Sequence, residues 1–168
     1  MRTGQTMSGS NDANSVRKVV SVQAPPAVAW RVFTEKMGTW WPLANYKIGK
    51  ANAVDAVIEP RVGGRWYERG DDGSTCDWGV VLSWEPPSRL VLSWDISADW
   101  QPDPTLKTEI EVRFISEGNN GTRVELEHRH LDRYGSRRDE MRRIFDTEGD
   151  WGRVIQLFAR AAAEFQAK

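Results

Sequence analysis

The sequence predicts an α+β domain in which a curved antiparallel sheet wraps around a long C-terminal helix. Between residues 54 and 130 the chain forms strand-like segments with alternating polar and apolar residues. From residue 151 onward the apolar residues recur at helical spacing instead. Strands with one polar and one apolar face need a cover on the apolar side, and the amphipathic helix is the element that can supply it.

The first elements are a strand and two short helices. Residues 16–23 are rich in β-branched side chains and are followed by two prolines, which predicts a strand that ends there. Residues 27–33 and 35–41 have the pattern of short helices, and Pro42 stops the second one. Residues 43–53 are then predicted to form a loop.

Length and composition limit both the architecture and the function. The chain of 168 residues fits one domain, predicted over residues 16–166, behind a disordered polar leader at residues 1–15. Its 23 basic and 24 acidic residues argue against a nucleic-acid partner. No apolar run approaches the roughly 20 residues of a membrane span, and no signal peptide is recognisable. The single cysteine, Cys76, cannot form an internal disulfide, which suits a cytoplasmic location.

Six strands are predicted in the central part of the chain, separated by turn-forming residues. Glycine, proline and asparagine cluster at residues 60–64, 70–73, 86–88 and 117–121. The predicted strands cover residues 54–59, 65–69, 75–85, 89–96, 106–115 and 122–130. Strict alternation assigns inward faces to Trp78, Val80, Leu82 and Trp84, to Leu90, Leu92, Trp94 and Ile96, and to Val124, Leu126 and His128.

The C-terminal helix carries the apolar stripe that should cover the sheet. Thr147 is its predicted N-cap, with Asp150 in an acidic first turn. A shorter helix is predicted just before it, at residues 136–145. The stripe consists of Trp151, Val154, Ile155, Phe158, Ala161, Ala162 and Phe165.

Several segments are similar to one known family. The sequences EPRVGGRW at 59–66, WGVV at 78–81, WEPP at 84–87 and GTRVELEH at 121–128 resemble the bacterial branch of the heat-shock-chaperone-activator homologues. That branch belongs to the START-like, or SRPBCC, superfamily, and the resemblance covers residues 16–166. It implies the helix-grip fold. It also implies binding of apolar molecules between sheet and helix, although some members are cyclases or hydrolases and some assist chaperones.

Inward-facing positions define the candidate ligand site. The alternative is that the nine tryptophans of the chain fill the interior and leave no cavity. The direction of the Glu68 side chain stays open, because the Gly63-Gly64 turn could shift the register of its strand. The candidate ligand-binding residues are Trp66, Glu68, Trp78, Trp84, Trp94, His128, Trp151 and Phe158.

His128 is the clearest polar member of this set, and the family pattern also has a histidine at this position. It could bind a ligand, act as an acid or base, or pair with a buried partner. His130 lies two residues further on, but no other metal ligands occur at recognisable spacing, so no metal site is predicted. No nucleophile elbow, phosphate loop or dinucleotide motif occurs, and no cofactor is predicted.

Three functions are consistent with these patterns. The first is binding of a small apolar or aromatic molecule between sheet and helix. The second is a hydrolase or cyclase that uses His128 with an inward carboxylate. The third, suggested by the resemblance alone, is a chaperone-cofactor or other protein-interaction role. A homodimer could form through sheet edges or through exposed tryptophans such as Trp40, Trp41 or Trp100.

Overall fold

Residues 12–168 are described by the computed structural model, and they form a seven-stranded antiparallel sheet with four α-helices. The helices are α1 (Pro26–Glu35), α2 (Met37–Trp40), α3 (Arg138–Asp146) and α4 (Trp151–Ala167), and a 3-10 segment at Leu131–Arg137 precedes α3. The strands are β1 (Val16–Val22), β2 (Ala53–Ile58), β3 (Arg65–Gly70), β4 (Thr75–Glu85), β5 (Arg89–Trp94), β6 (Thr108–Glu117) and β7 (Gly121–Arg129).

The strand order is β1-β7-β6-β5-β4-β3-β2, and every neighbouring pair is antiparallel. Strands β2 to β7 follow one another as a meander. The first strand, β1, pairs with the last strand, β7, at one edge of the sheet. The curled sheet with its long C-terminal helix confirms the predicted helix-grip architecture.

The C-terminal helix closes the apolar side of the sheet. Helix α4 packs against β1, α1 and α2, and it buries Val154, Ile155, Phe158 and Ala162. The predicted N-cap is wrong: Thr147 follows the last residue of α3 and donates its hydroxyl to the Ile144 carbonyl at 2.9 Å. Asp150 occupies the N-cap position of α4 instead.

Strict alternation along β4 is also wrong. The register of β4 shifts beside Trp66 of β3 and again after Val81 on the β5 side, so this strand changes phase twice. Val81 is therefore buried with Trp78, whereas Leu82 is 39% exposed. Such bulges bend a strand and increase its twist, which contributes to the curvature of the sheet.

Strands β4 and β5 approach each other closely at Gly79. The neighbouring residues are tied to β5, because the Asp95 amide donates to the Trp78 carbonyl at 2.7 Å and the Val80 amide donates to Ser93 Oγ at 2.9 Å. A Cβ atom on Gly79 would lie 1.9 Å from the Ser93 carbonyl oxygen. Only glycine fits between these two backbones without moving one of them.

The outer face of the sheet is polar and held together by ion pairs, as the alternation predicts. Glu111 of β6 is buried between arginines of both neighbouring strands and accepts hydrogen bonds from Arg89 and Arg129, each at 2.6 Å. Burial alone would raise the pKa of Glu111, because it disfavours the charged carboxylate. The hydrogen bonds from the two arginines have the larger combined effect, so the pKa of Glu111 is lowered.

Residues 1–11 of the predicted leader lie outside the described residues. Within residues 12–15, Ser15 is buried, and the carbonyl of Asn14 accepts a hydrogen bond of 2.9 Å from the Leu131 amide. Ordered contact with the 3-10 segment therefore begins before the first strand.

The close packing at Gly79 predicts a strong effect of substitution. Gly79→Ala should lower the free energy of unfolding by about 3 kcal/mol, because β4 and β5 must separate to admit the methyl group. Urea denaturation measures this change. Gly149→Ala is the control: no atom lies within 4 Å of its added Cβ, and a change within about 0.5 kcal/mol is expected. Equal effects of both substitutions would contradict the role of Gly79.

Candidate ligand-binding site

A cavity of about 390 Å³ opens beside the first turn of α4. This volume falls within the range of about 300–1,000 Å³ that is typical of small-molecule sites. Ile48 and Val154 complete its apolar wall. The aromatic residues of the wall are Trp41, Tyr46, Trp94, Trp100, Phe145 and Trp151.

Another depression, of about 490 Å³, lies beside the β6–β7 turn and is bordered mainly by polar residues such as Gln23, Asn119 and Asn120. Planar apolar ligands gain little from such a surface, because little apolar area is removed from water there. The aromatic cavity at α4 is therefore the candidate site.

Three polar residues also border the aromatic cavity: Asn45, Lys47 and Asp150. The Lys47 ammonium donates a hydrogen bond of 2.6 Å to the carbonyl of Gly49, so it already has one partner within its own loop. The Asp150 carboxyl is half-buried, and burial raises its pKa to about 6 despite a hydrogen bond with the Trp151 backbone.

Behind the cavity the interior is filled with tryptophan rings. The ring of Trp78 lies 5.0 Å from that of Trp41 and 5.4 Å from that of Trp66, and Trp66 lies 5.5 Å from Trp94. Trp66 and Trp78 are fully buried. Of the predicted wall residues, Trp94 and Trp151 line the cavity, whereas Trp66 and Trp78 form the packed layer behind it.

Two further candidates lie in other parts of the core. Phe158 packs against Phe33 and Trp40, with ring centroids 5.2 and 5.3 Å apart. Trp84 lies near the other end of β4, 5.0 Å from the ring of Trp30. Neither residue borders the cavity, because Phe158 in the middle of α4 packs against α1 and α2, and Trp84 packs against α1.

Glu68 points inward, which resolves the direction that the sequence left open. Its Oε1 accepts hydrogen bonds from the Trp78 indole at 2.9 Å and from the Ile48 amide at 2.5 Å. Only 2% of Glu68 is exposed. The carboxylate thus connects the sheet to the loop that carries Tyr46, Lys47 and Ile48, and it acts as a positioning residue for one wall of the cavity.

His128 is completely buried behind Trp151. The Thr108 hydroxyl donates to the Trp94 carbonyl at 2.8 Å, so its oxygen is free to accept from Nε2–H of His128 at 2.9 Å. Nδ1 accepts from the Trp151 indole at 3.2 Å. These partners assign the Nε2–H tautomer, and burial lowers the pKa of His128 to about 3.

Several cavity residues escaped the sequence analysis because they lie on connections rather than on the alternating strands. Trp41 and Trp40 are buried, contrary to the expectation of an exposed surface, whereas Trp100 is 38% exposed beside the opening. One sequence feature does point to this wall of the cavity. The predicted loop contains an aromatic, a basic and an aliphatic residue in a row, Tyr46-Lys47-Ile48. For Asp150 the sequence pattern predicts only a role in the first turn of the helix.

Within residues 12–168, no group of three His, Cys, Asp or Glu side chains is placed to hold a metal ion. A separate result concerns membranes: none of the helices in the described part of the chain is both long and apolar enough to cross a bilayer.

The buried position of His128 predicts that its ring does not titrate near neutral pH. NMR shifts of the ring, assigned with a His128→Gln variant, should stay constant from about pH 8 down to about pH 5. The unfolded chain binds this proton near pH 6.5 and the native chain only near pH 3, so this histidine lowers stability as the pH falls between those values. A ring titration midpoint near pH 6.5 would contradict the assigned environment.

The role of Glu68 predicts a specific loss of order in the 46–48 loop. Glu68→Ala leaves the Trp78 and Ile48 donors without their acceptor and should lower the free energy of unfolding by about 3 kcal/mol. Glu68→Gln keeps an acceptor oxygen and should cost about 1 kcal/mol. Hydrogen exchange at the Ile48 amide should accelerate in the alanine variant beyond the change in global stability; unchanged relative protection would argue against the positioning role.

Comparison with known proteins finds relatives above 30% sequence identity and others that share the fold at lower identity. The anthrahydroquino-γ-pyrone synthase Txn09, in a structure complexed with SUM, is 36% identical, with 89% of this chain and 98% of that chain covered and a TM-score of 0.61. CalC from Micromonospora echinospora, a self-sacrificing resistance protein, is 31% identical over 93% and 98% of the two chains, with a TM-score of 0.68. Protein NE0264 from Nitrosomonas europaea shares the fold at 15% identity, with a TM-score of 0.67 and coverage of 94% and 99%.

A search of the curated proteins found no match. The family model described as activator of Hsp90 ATPase homolog 1-like protein, however, matches residues 23–163, from the end of β1 to the last turns of α4. The match thus spans six strands, the first three α-helices and most of α4. The chain therefore belongs to the activator of Hsp90 ATPase homolog 1-like family.

Proposed function

We propose that this protein binds a small planar aromatic molecule in the cavity beside the first turn of α4. The observation that carries the proposal is the composition of the wall, where six aromatic side chains surround an open volume of about 390 Å³. Aromatic rings favour other rings, through offset or edge-to-face contacts, by about 0.5–1.5 kcal/mol beyond the burial of area. A saturated apolar molecule would gain only the free energy of burying its apolar surface.

The packed layer behind the cavity supports binding at this position rather than deeper between sheet and helix. Trp66, Trp78 and Phe158 are closely packed, so the space between the middle of α4 and the sheet holds no room for a ligand of this size. The rigid tryptophan layer gives the cavity a fixed floor, and a preformed wall reduces the entropy lost on binding.

One relative supports the same ligand class. The name of Txn09 states that it is a synthase of an anthrahydroquino-γ-pyrone, a fused aromatic framework, and this protein is 36% identical to the present chain. Transfer of that ligand class to this chain is an analogy, and the aromatic wall gives it a physical basis.

An enzyme acting on the same kind of molecule is the second candidate function. Asp150 favours it, because this residue borders the cavity and burial raises the pKa of its carboxyl to about 6. His128 does not serve as the acid or base, because both ring nitrogens are hydrogen-bonded and the ring is completely buried. The chaperone-cofactor alternative rests on the family description alone, because no feature described above for residues 12–168 indicates a chaperone-binding surface.

The proposal predicts that Trp100 contributes to affinity for flat rings. Trp100→Ala should weaken binding of 2-naphthol about threefold to tenfold, because one ring contact is lost. Calorimetric titration measures the affinity, and saturated decahydro-2-naphthol should bind more weakly than 2-naphthol. Tyr67→Ala is the matched control: Tyr67 stacks under Arg65, away from the cavity.

Two outcomes would overturn the proposed function. One is the absence of saturable binding for both compounds. The other is equal affinity of the wild-type and Trp100→Ala proteins for 2-naphthol, which would place the bound ring elsewhere.

A further inference from the structure

We infer that the Asp150 carboxylate recognises a hydroxyl group on the bound ring, which assigns the ligand to the phenolic or enolic fused-ring aromatics. This inference rests on the proposed function and specifies the ligand class of the same cavity. It concerns a residue that borders the cavity beside Trp151 and Val154 at the start of α4.

The position of Asp150 in the chain makes its side chain unusual. Aspartate at an N-cap normally accepts hydrogen bonds from the second or third amide of the helix. Asp150 has φ −112° and ψ −109°, and its side chain makes no such cap bond. The carboxylate is therefore directed to neither of the amides that an aspartate at this position usually binds.

The Asp150 carboxylate has few hydrogen-bond partners of its own. Within the part of the chain that the structure describes, no side chain donates a hydrogen bond to it, and its favourable contact is a hydrogen bond with the Trp151 backbone. A half-buried carboxylate among aromatic rings is costly in this state. Burial accordingly raises its pKa to about 6. A hydroxyl group on a ligand in the cavity would supply the missing donor.

The charges on the wall favour a neutral hydroxyl over a charged group. Lys47 and Asp150 both border the cavity, so a ligand of either net charge meets a side chain of the same sign there. A neutral hydroxyl can donate to the carboxylate and keeps the apolar ring against the tryptophans. Hydrogen bonds to an ionised acceptor are roughly twice as strong as those between neutral groups.

Other titratable groups near Asp150 must be distinguished from it. The Tyr46 hydroxyl donates to the Gly149 carbonyl, and Tyr134 interacts electrostatically with Asp150 and has a raised pKa because it is buried. The pKa of His128, behind Trp151, is about 3, so it stays neutral. The charged groups around the start of α4 are Lys18, paired with Asp146 and Glu148, together with Lys47 and the exposed Arg153.

The experiment compares 2-naphthol with 2-methoxynaphthalene, which has the same ring but no donor. The phenolic hydroxyl stays protonated between about pH 5 and about pH 8, whereas Asp150 ionises within this interval. Wild-type protein should bind 2-naphthol about fivefold to tenfold more tightly at the higher pH, since the acceptor becomes charged. Affinity for 2-methoxynaphthalene should not rise.

Asp150→Asn should abolish this pH dependence and weaken 2-naphthol binding at the higher pH by a similar factor. Asparagine is also a favoured N-cap residue, so the start of α4 is preserved, and circular dichroism verifies folding. Asp132→Asn is the matched control, because Asp132 is exposed on the 3-10 segment and does not border the cavity; its binding curve should match the wild type.

The outcomes separate this inference from the proposed function. Tight binding of both compounds, with no dependence on pH or on Asp150→Asn, would overturn the role of Asp150 and leave aromatic binding intact. A pH dependence that persists in Asp150→Asn would assign the effect to another group and would also overturn the inference. Binding of neither compound would overturn both.

Discussion

The close approach of β4 and β5 at Gly79 is the constraint on which the rest of the architecture depends. The two register shifts in β4 lie on either side of this contact, and they rotate both Trp78 and Val81 to the concave side. In a regular strand these two residues, three positions apart, would point to opposite faces, and one of them would be exposed to solvent. The bulged strand instead curves, so the sheet wraps around α4 and encloses more apolar area than a flat sheet would. The absence of a side chain at Gly79 lets β4 and β5 approach this closely between the two shifts.

The interior of the domain is tightly packed at its centre and open at one end. Trp66, Trp78 and Phe158 occupy the space under the middle of α4, whereas the first turn of the helix borders the cavity together with the 45–48 loop. The Glu68 carboxylate holds that loop at a fixed distance by accepting hydrogen bonds from Ile48 of the loop and Trp78 of the sheet. A buried acceptor at this point fixes a wall that apolar contacts alone would leave adaptable, because hydrogen bonds impose direction as well as proximity.

Alternation predicted the fold, since six of the seven strands and the apolar stripe of α4 were visible as periodic patterns and the first strand as a β-branched run. The inward position of His128 followed from the same rule, but its role depends on Thr108 and Trp151, which are distant in sequence. Leu82 and Val80 were misassigned because a bulge leaves no periodic signal. The cavity residues Tyr46, Trp100 and Asp150 lie on connections, where side-chain direction is set by tertiary contacts and not by a repeating pattern.

Helix α4 performs two tasks with different parts of its sequence. Its middle, from Ile155 to Ala162, seals the core, whereas its first turn borders the cavity with Trp151 and Val154. The core can therefore stay constant while residues at the start of the helix and on the 43–52 and 97–102 connections vary. Txn09 and CalC, at 36% and 31% identity, carry names for unlike functions, which is the behaviour expected when one fold supports several chemistries. For this chain, function must accordingly be argued from the cavity wall and its half-buried carboxylate, because the sealed core would look the same in a binder and in an enzyme.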